Sequence, residues 1–301
     1  MRVFVVGATG VLGTSALRAL FKAGHDVGGL TRSEAKAEQL KELGVRATVA
    51  SLFDSESLRA AFEGYEVVCN LATHIPVGMA GMRPGAWKVN DRLHTHGTHL
   101  VVSAAKQAGV RRIIQESASF AYTDGGDDWL DESSPLSVTR ATEPIAEAET
   151  NAASFVCGHR TAVVLRFGEV VGDDPWTRWR LDRARAGHAI GLGDPAGWTH
   201  VVHPDDVGTA IVAALYTPSG VYNVGAEPVL RKEFVSTFGQ ATGHQVGFMP
   251  RMVVRFAGDR WEPLARSHRV SSRRLMEQGG WSPVHPKFAS SWLDKIAVRV
   301  S

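Results

Sequence analysis

Cysteine, tyrosine and lysine are scarce in this sequence: its 301 residues hold two, four and eight of them. Cys69 and Cys157 are far apart and neither has a Cys-x-x-Cys partner, which excludes a disulfide scaffold and a cysteine-based zinc site. Both stand in apolar runs, Val67-Val68-Cys69 and Phe155-Val156-Cys157. Both are therefore expected as small buried thiols, in a reducing, cytoplasmic setting. No apolar run approaches the roughly 20 residues of a membrane span, so no membrane partner is expected. Strand-like sequence from Arg2 onward leaves no room for a signal peptide. No charge sign dominates either. Thirty-three basic residues against thirty-one acidic ones give a net charge of +2, so no global field marks a nucleic-acid binder. With 44% apolar residues, the chain is long enough to bury a core as one large domain or two small ones.

What is present is an alternation of strand and helix patterns. Short apolar runs at 3–6, 25–30, 46–50, 66–71, 111–116 and 161–166 read as strands. Segments of helical period lie between them, at 11–23, 33–43, 54–64 (with Asp54 as N-cap), 87–108 and 144–155. Such alternation predicts a parallel sheet with right-handed crossovers. After Gly172, short elements mix with Pro and Gly punctuation, and Val221-Tyr222-Asn223-Val224 reads as a last strand. The expected fold is α/β, a Rossmann-type doubly wound parallel sheet with a smaller C-terminal α+β substrate domain. A nucleotide-binding domain spans 1–170, with the chain returning to it at about 200–225, and the substrate region spans 171–301.

Gly7-Ala8-Thr9-Gly10-Val11-Leu12-Gly13 joins the first strand to the first helix. Gly7 permits a tight turn, Gly10 lets the backbone approach a pyrophosphate, and Gly13 allows close helix–strand packing. Backbone N–H groups at the helix start then face the anion. A glycine triplet placed between strand and helix points to a dinucleotide site.

With its GxxGxxG spacing the chain resembles the short-chain dehydrogenase/reductase superfamily, in particular the extended, epimerase/dehydratase-like branch. Further markers follow in order: Asn70-Leu71-Ala72-Thr73 beside the adenine side, Asn90 in the long helix, Val164-Leu165-Arg166 through Gly172, and His200 through Val207. The resemblance implies cofactor contacts from Gly7, Thr9, Gly10, Val11, Leu12, Gly13, Leu71, Ala72, Thr73 and Asn90. Beyond the second strand stand Thr31, Arg32 and Ser33 where an NAD binder carries an acid. Arg32 offers a planar fork to a 2′-phosphate and Thr31 a hydroxyl, so NADP(H) is favoured over NAD(H). Ser51-Leu52 replaces the family's Asp-Leu near the adenine.

The family's proton-transfer pair is Tyr-x-x-x-Lys. Positions four beyond Tyr65, Tyr122, Tyr216 and Tyr222 hold Cys69, Gly126, Gly220 and Ala226, so no such pair exists in the chain. The expected window, 140–148, holds neither residue type. Catalysis, if retained, must use other groups. Tyr122, Ser117, Ser119 and His74 are the candidates: the first three follow the fifth strand, and His74 follows the fourth, where α/β sheets bind ligands. Glu147 and Glu149 point to different helix faces, and one is expected to match a structural family Glu.

No metal site is expected. His94, His96 and His99 cluster on the long helix, but His94 and His96 do not face each other and no carboxylate pattern accompanies them; His203 is expected to hold its loop by hydrogen bonding. The arginines between 251 and 274 read as an amphipathic surface helix, with an anionic substrate or an oligomer contact as the sharper reading. Trp176, Trp179 and Trp198 fit a pocket wall or a core equally.

Three functions stay open: an NADP(H)-dependent oxidoreductase on a small carbonyl or alcohol, a redox-neutral isomerase, epimerase or lyase, and a non-catalytic nucleotide sensor. The partner is a small-molecule substrate, and the chain is expected as a monomer or homodimer.

Overall fold

The computed structural model describes residues 1–250, 252 and 259–297. Val3-Phe4-Val5-Val6 forms the buried part of β1 (Arg2–Val6). Apolar side chains on both its faces require helices on both sides of the sheet. The chain continues through α1 (Val11–Lys22), β2 (Asp26–Thr31), α2 (Glu34–Glu42), β3 (Arg46–Val49), α3 (Ser55–Phe62) and β4 (Val67–Asn70). Asp54 caps α3, accepting from the N–H groups of Glu56 and Ser57. Then come α4 (Lys88–Arg92), a π-helical turn at Leu93–Gly97, α5 (Thr98–Gln107), β5 (Arg112–Ala118), β6 (Trp129–Leu130), α6 (Glu143–Ala153) and β7 (Thr161–Phe167). The remainder holds β8 (Glu169–Val170), α7 (Pro175–Arg185), β9 (Trp198–Thr199), β10 (Val201–Val202), α8 (Pro204–Ala214), β11 (Gly220–Val224), β12 (Val229–Leu230) and α9 (Arg231–Thr242), followed by short elements.

Seven strands form one sheet in the order β11-β7-β5-β4-β1-β2-β3. All its pairings are parallel. The order reverses between β1 and β4, and the crevice at such a switch point is where open α/β sheets bind ligands. Two apolar layers cover the sheet. One packs α1 and α8 against it and the other packs α3, α5 and α6. β11 returns to the sheet edge beside β7. A separate cluster (Val171, Leu181, Phe234, Phe238, Trp292, Leu293) lies among α7, α9 and the last described helix, Ser291–Ala297.

Three expectations need correction. Cys157 is exposed because it sits in the turn closed by Arg160 N–H to its carbonyl, past the end of α6. Cys69 is fully buried in β4, and burial pushes its thiol up to about 12. The single long helix at 87–108 is interrupted, because the π turn at Leu93–Gly97 adds a residue per turn and re-aims His94 and Thr98 inward. The arginines do not form one amphipathic helix. Arg260 pairs with Asp91, Arg266 with Glu262, and Arg269 lies 4.6 Å from the centres of both the Trp129 and Trp198 rings. Arg251 and Arg255 lie outside the described residues.

Candidate active site

The glycine turn stands at the switch point. Gly7 has φ +80°, and a Cβ there would lie 2.7 Å from the Leu71 carbonyl oxygen, so the ends of β1 and β4 touch through it. A Cβ on Gly13 would lie 2.1 Å from the Gly7 oxygen, whereas one on Gly10 would meet only that oxygen, at 3.3 Å. Gly10 is the N-cap of α1 and no side chain caps this helix. The first N–H groups of a helix have no intrahelical partner and carry the positive end of its dipole. Thr9 and Gly10 are exposed, and Val11 is half-buried. This is the chemistry of an anion cradle, and a pyrophosphate fits it. Leu12 turns the other way, into the core.

Beyond β2, Thr31 is buried and its hydroxyl accepts from Ser33 N–H at 3.3 Å. Arg32 is exposed. Ser51 is exposed and accepts from Phe53 N–H at 3.1 Å, while Leu52 is buried against the second layer. Leu71 is buried, and Ala72 and Thr73 are half-buried beside the turn. Asn90 is buried, and its side-chain oxygen accepts from the His74 N–H at 2.8 Å. Asn90 thus fixes the loop that follows β4, and His74 itself is exposed there.

The hydroxyl candidates separate. Ser117 donates to Glu149 Oε1 at 2.6 Å. Glu149 holds Arg166 by two bonds, at 2.8 and 2.6 Å. Arg166 Nη1 donates to the Tyr122 hydroxyl at 2.9 Å, and that hydroxyl donates to Asn223 Oδ1 at 2.8 Å. Tyr122 is fully buried, and burial raises its pKa in spite of the nearby Arg166 charge. One network therefore consumes Ser117, Glu149 and Tyr122, and it binds α6 to β5, β7 and β11. Tyr122 and Ser117 are thus both buried, and their hydroxyls are hydrogen-bonded within this network.

Ser119 is different. Its hydroxyl lies 2.9 Å from His200 Nδ1, and it lines a cavity of about 30 Å³ with Phe120, Glu169, Trp198, His200 and His268. Burial, and the neighbouring His268, push His200 down to about 3. Burial pushes His268 down to about 4. Both rings are neutral at pH 7. The cavity is a small recess of mixed polar and apolar lining beside the end of β5.

Trp176 and Trp179 pack edge to face, Trp176 reaches buried Trp261, and Trp198 donates to Asp127. Sequence reasoning missed the buried pair His94 and Glu116, and His268. His94 and Glu116 are 22 positions apart; His94 lies in the π turn, and its Nε2 reaches Glu116 in β5. Glu116 stands in β5 between polar Gln115 and Ser117, so nothing local in the sequence marks its burial.

Residues 7–218 match a family model described as NAD(P)H-binding. The chain belongs to this NAD(P)H-binding family. It is 31% identical, over 98% of this chain and 99% of the relative, to a 3-diazoavenalumate denitrifying reductase from a Streptomyces species. It is 26% identical, over 70% of this chain and 64% of the relative, to a 2-alkyl-3-oxoalkanoate reductase from Stenotrophomonas maltophilia. Among solved structures, human epimerase family protein SDR39U1 with NADPH superposes over the whole of both chains with a TM-score of 0.80 at 22% identity. A Thermus thermophilus UDP-glucose 4-epimerase with NAD covers 99% of this chain and 98% of its own at 0.77 and 22%. These neighbours share the extended short-chain dehydrogenase/reductase fold, and the curated relatives named here are reductases.

Proposed function

We propose that the chain is an NADPH-dependent reductase that delivers hydride without the Tyr–Lys proton relay of its superfamily. The observation that carries this reading is a complete glycine cradle in a chain with no Tyr-x-x-x-Lys. Bound NADPH supplies a hydride. The α1 N-terminus would hold the pyrophosphate, Arg32 the 2′-phosphate, and the Asn90-tethered loop at His74 the side facing the substrate.

A carbonyl that takes hydride becomes an alkoxide and needs an acid at hand. A diazonium substrate does not. It gains the hydride, its carbon–nitrogen bond breaks, N2 leaves, and hydrogen remains on carbon, so charge and atoms balance with no proton donor. The likeness to a denitrifying reductase along nearly its whole length supports this substrate class. The carbonyl reading stays as the second one, favoured by exposed His74 on the loop after β4.

The test is NADPH consumption with an aryl diazonium salt and with a carbonyl panel, each against a protein-free control. Deuterated NADPH should leave deuterium on the ring carbon, with N2 released. Carbonyl turnover alone would move the assignment to the second reading. Turnover without NADPH consumption would mean a redox-neutral enzyme, and binding without turnover a sensor. Arg32→Glu should weaken NADPH binding about tenfold or more, about 1.4 kcal/mol, with NADH affinity kept. An unchanged ratio of the two affinities overturns the 2′-phosphate role.

A further inference from the structure

The second half of the chain holds a group of ligating side chains that the reductase reading does not use. His203 precedes α8 and caps it, its Nδ1 accepting from the Asp205 N–H at 3.2 Å. Asp205 lies in the first turn of α8. His285 comes from the tail, 80 residues further on. The tail is tied to α8 at two points. The Asp206 carboxylate accepts from the Val284 and His285 N–H groups, at 2.5 and 3.0 Å, and Trp281 Nε1 donates to the Thr209 hydroxyl at 2.9 Å.

This anchoring brings the His203 and His285 rings to 3.8 Å between centroids, with Trp292 edge-on at 5.1 and 5.9 Å. The Asp205 Oδ2 atom sits between them, 3.5 Å from His203 Nδ1 and 3.4 Å from His285 Nε2. One ligand atom from each of the three residues falls within 4.8 Å of the other two.

Those distances discriminate between two readings. Charge-assisted hydrogen bonds between a carboxylate and an imidazolium are about 2.7–2.9 Å long. The observed separations are longer than that, and the 3.4 Å contact from His285 lies at the outer edge of hydrogen-bond range. Ligands about 2.0–2.1 Å from a tetrahedral ion stand about 3.4 Å apart. The carboxylate-to-imidazole edges have that length.

We propose that His203, Asp205 and His285 form a binding site for a divalent transition-metal ion of the zinc type. Two imidazoles and one carboxylate are the donor set that such ions prefer, and they disfavour Mg²⁺ and Ca²⁺. Asp205 is 61% exposed, which leaves the fourth position to water. A helix N-terminus opposes a cation, and Asp205 and Asp206 in the first turn offset that field. Coordination at His203 Nδ1 would replace the Asp205 N–H contact, which lies at the outer edge of hydrogen-bond range.

The site's role is structural. It staples the 281–285 loop onto α8, and α8 packs on α1, with a Cβ on Gly208 falling 2.5 Å from the Ser15 oxygen. The metal would thus secure the tail against the layer that carries the cofactor cradle. The spacing of His203 and Asp205 in sequence gives no hint of this, because the third ligand is remote.

The experiment uses untagged full-length protein, stripped with chelator and dialysed. ZnCl2 is titrated by calorimetry and by thermal unfolding, and Co²⁺ serves as a spectroscopic probe. The expected result is one Zn²⁺ per chain, a raised Tm, and the intense visible bands of four-coordinate Co²⁺. Asp205→Asn and His285→Gln should each weaken Zn²⁺ binding at least about tenfold. Both residues are partly exposed, so the metal-free variants should keep the wild-type Tm. MgCl2 should shift nothing. Absence of saturable one-to-one binding, or variants that bind as the wild type does, overturns the proposal. The second outcome would assign the metal to other histidines of the chain.

Discussion

His94 Nε2 lies 2.8 Å from Glu116 Oε1, with the two side chains only 5% and 7% exposed. The other ring nitrogen, Nδ1, lies 2.9 Å from the Asn90 carbonyl oxygen. Both nitrogens face acceptors, so the pair must carry one proton more than a neutral ring beside a carboxylate would. Burial opposes the charge on His94. The Glu116 charge, its hydrogen bond and the Asn90 carbonyl outweigh burial, and the pKa is raised.

A raised folded pKa gives stability that is complete below the unfolded value of about 6.5 and lost as pH rises through the folded value. His94→Gln should therefore destabilise by about 3 kcal/mol below pH 6.5 and by progressively less above it. His200 and His268 act in the opposite sense. Their lowered values cost stability as pH falls below about 6.5, since the unfolded chain takes up protons that the folded one refuses. The measurement is accordingly the difference in thermal stability between wild type and variant from pH 5.5 to 9. A gap that does not narrow with rising pH would sink the assignment.

Tyr122→Phe removes a hydroxyl that joins Arg166 to Asn223. Loss of this buried link should cost about 1–3 kcal/mol, read as a fall in denaturant midpoint. Turnover should be unchanged once the variant is folded. A general acid would instead lose about 100-fold or more in kcat. Such a loss, with stability kept, would return Tyr122 to the reacting centre.

The sheet and its helices were legible because their signals are local. Val3 to Val6 is apolar on both faces, Gly7 and Gly13 bracket a helix start, and Asp54 stands where a cap is needed. The glycine turn between β1 and α1 was legible for the same reason. The rest depends on contacts between distant residues. Nothing near Tyr122 in sequence shows that Arg166 and Asn223 will occupy its hydroxyl. Likewise Cys157 follows two apolar residues, yet the turn after α6 carries it outward. The arginines of the tail looked like one face of a helix because their spacing is nearly helical. Their partners are Asp91, Glu262 and the Trp129 and Trp198 rings, which only the fold brings to them.

Gly10 and Gly13 belong to one motif but answer to different forces. A Cβ at Gly13 would press on backbone, at 2.1 Å from the Gly7 oxygen and 2.7 Å from Ala8 Cα. These are backbone atoms of the turn between β1 and α1 and cannot withdraw as a side chain could, so Gly13→Ala should lose about 1–3 kcal/mol of stability or more. Gly10 has φ −83°, which any residue adopts, and its Cβ would meet only the Gly7 oxygen at 3.3 Å. Gly10→Ala should therefore fold with a loss of about 1 kcal/mol or less. Its methyl group would nonetheless stand at the exposed mouth of the cradle, where the pyrophosphate must approach the α1 N–H groups. NADPH affinity should fall at least about tenfold, or about 1.4 kcal/mol. Thermal unfolding and NADPH fluorescence titration on the two variants read both quantities. If Gly10→Ala binds NADPH as the wild type does, the pyrophosphate does not sit on this turn.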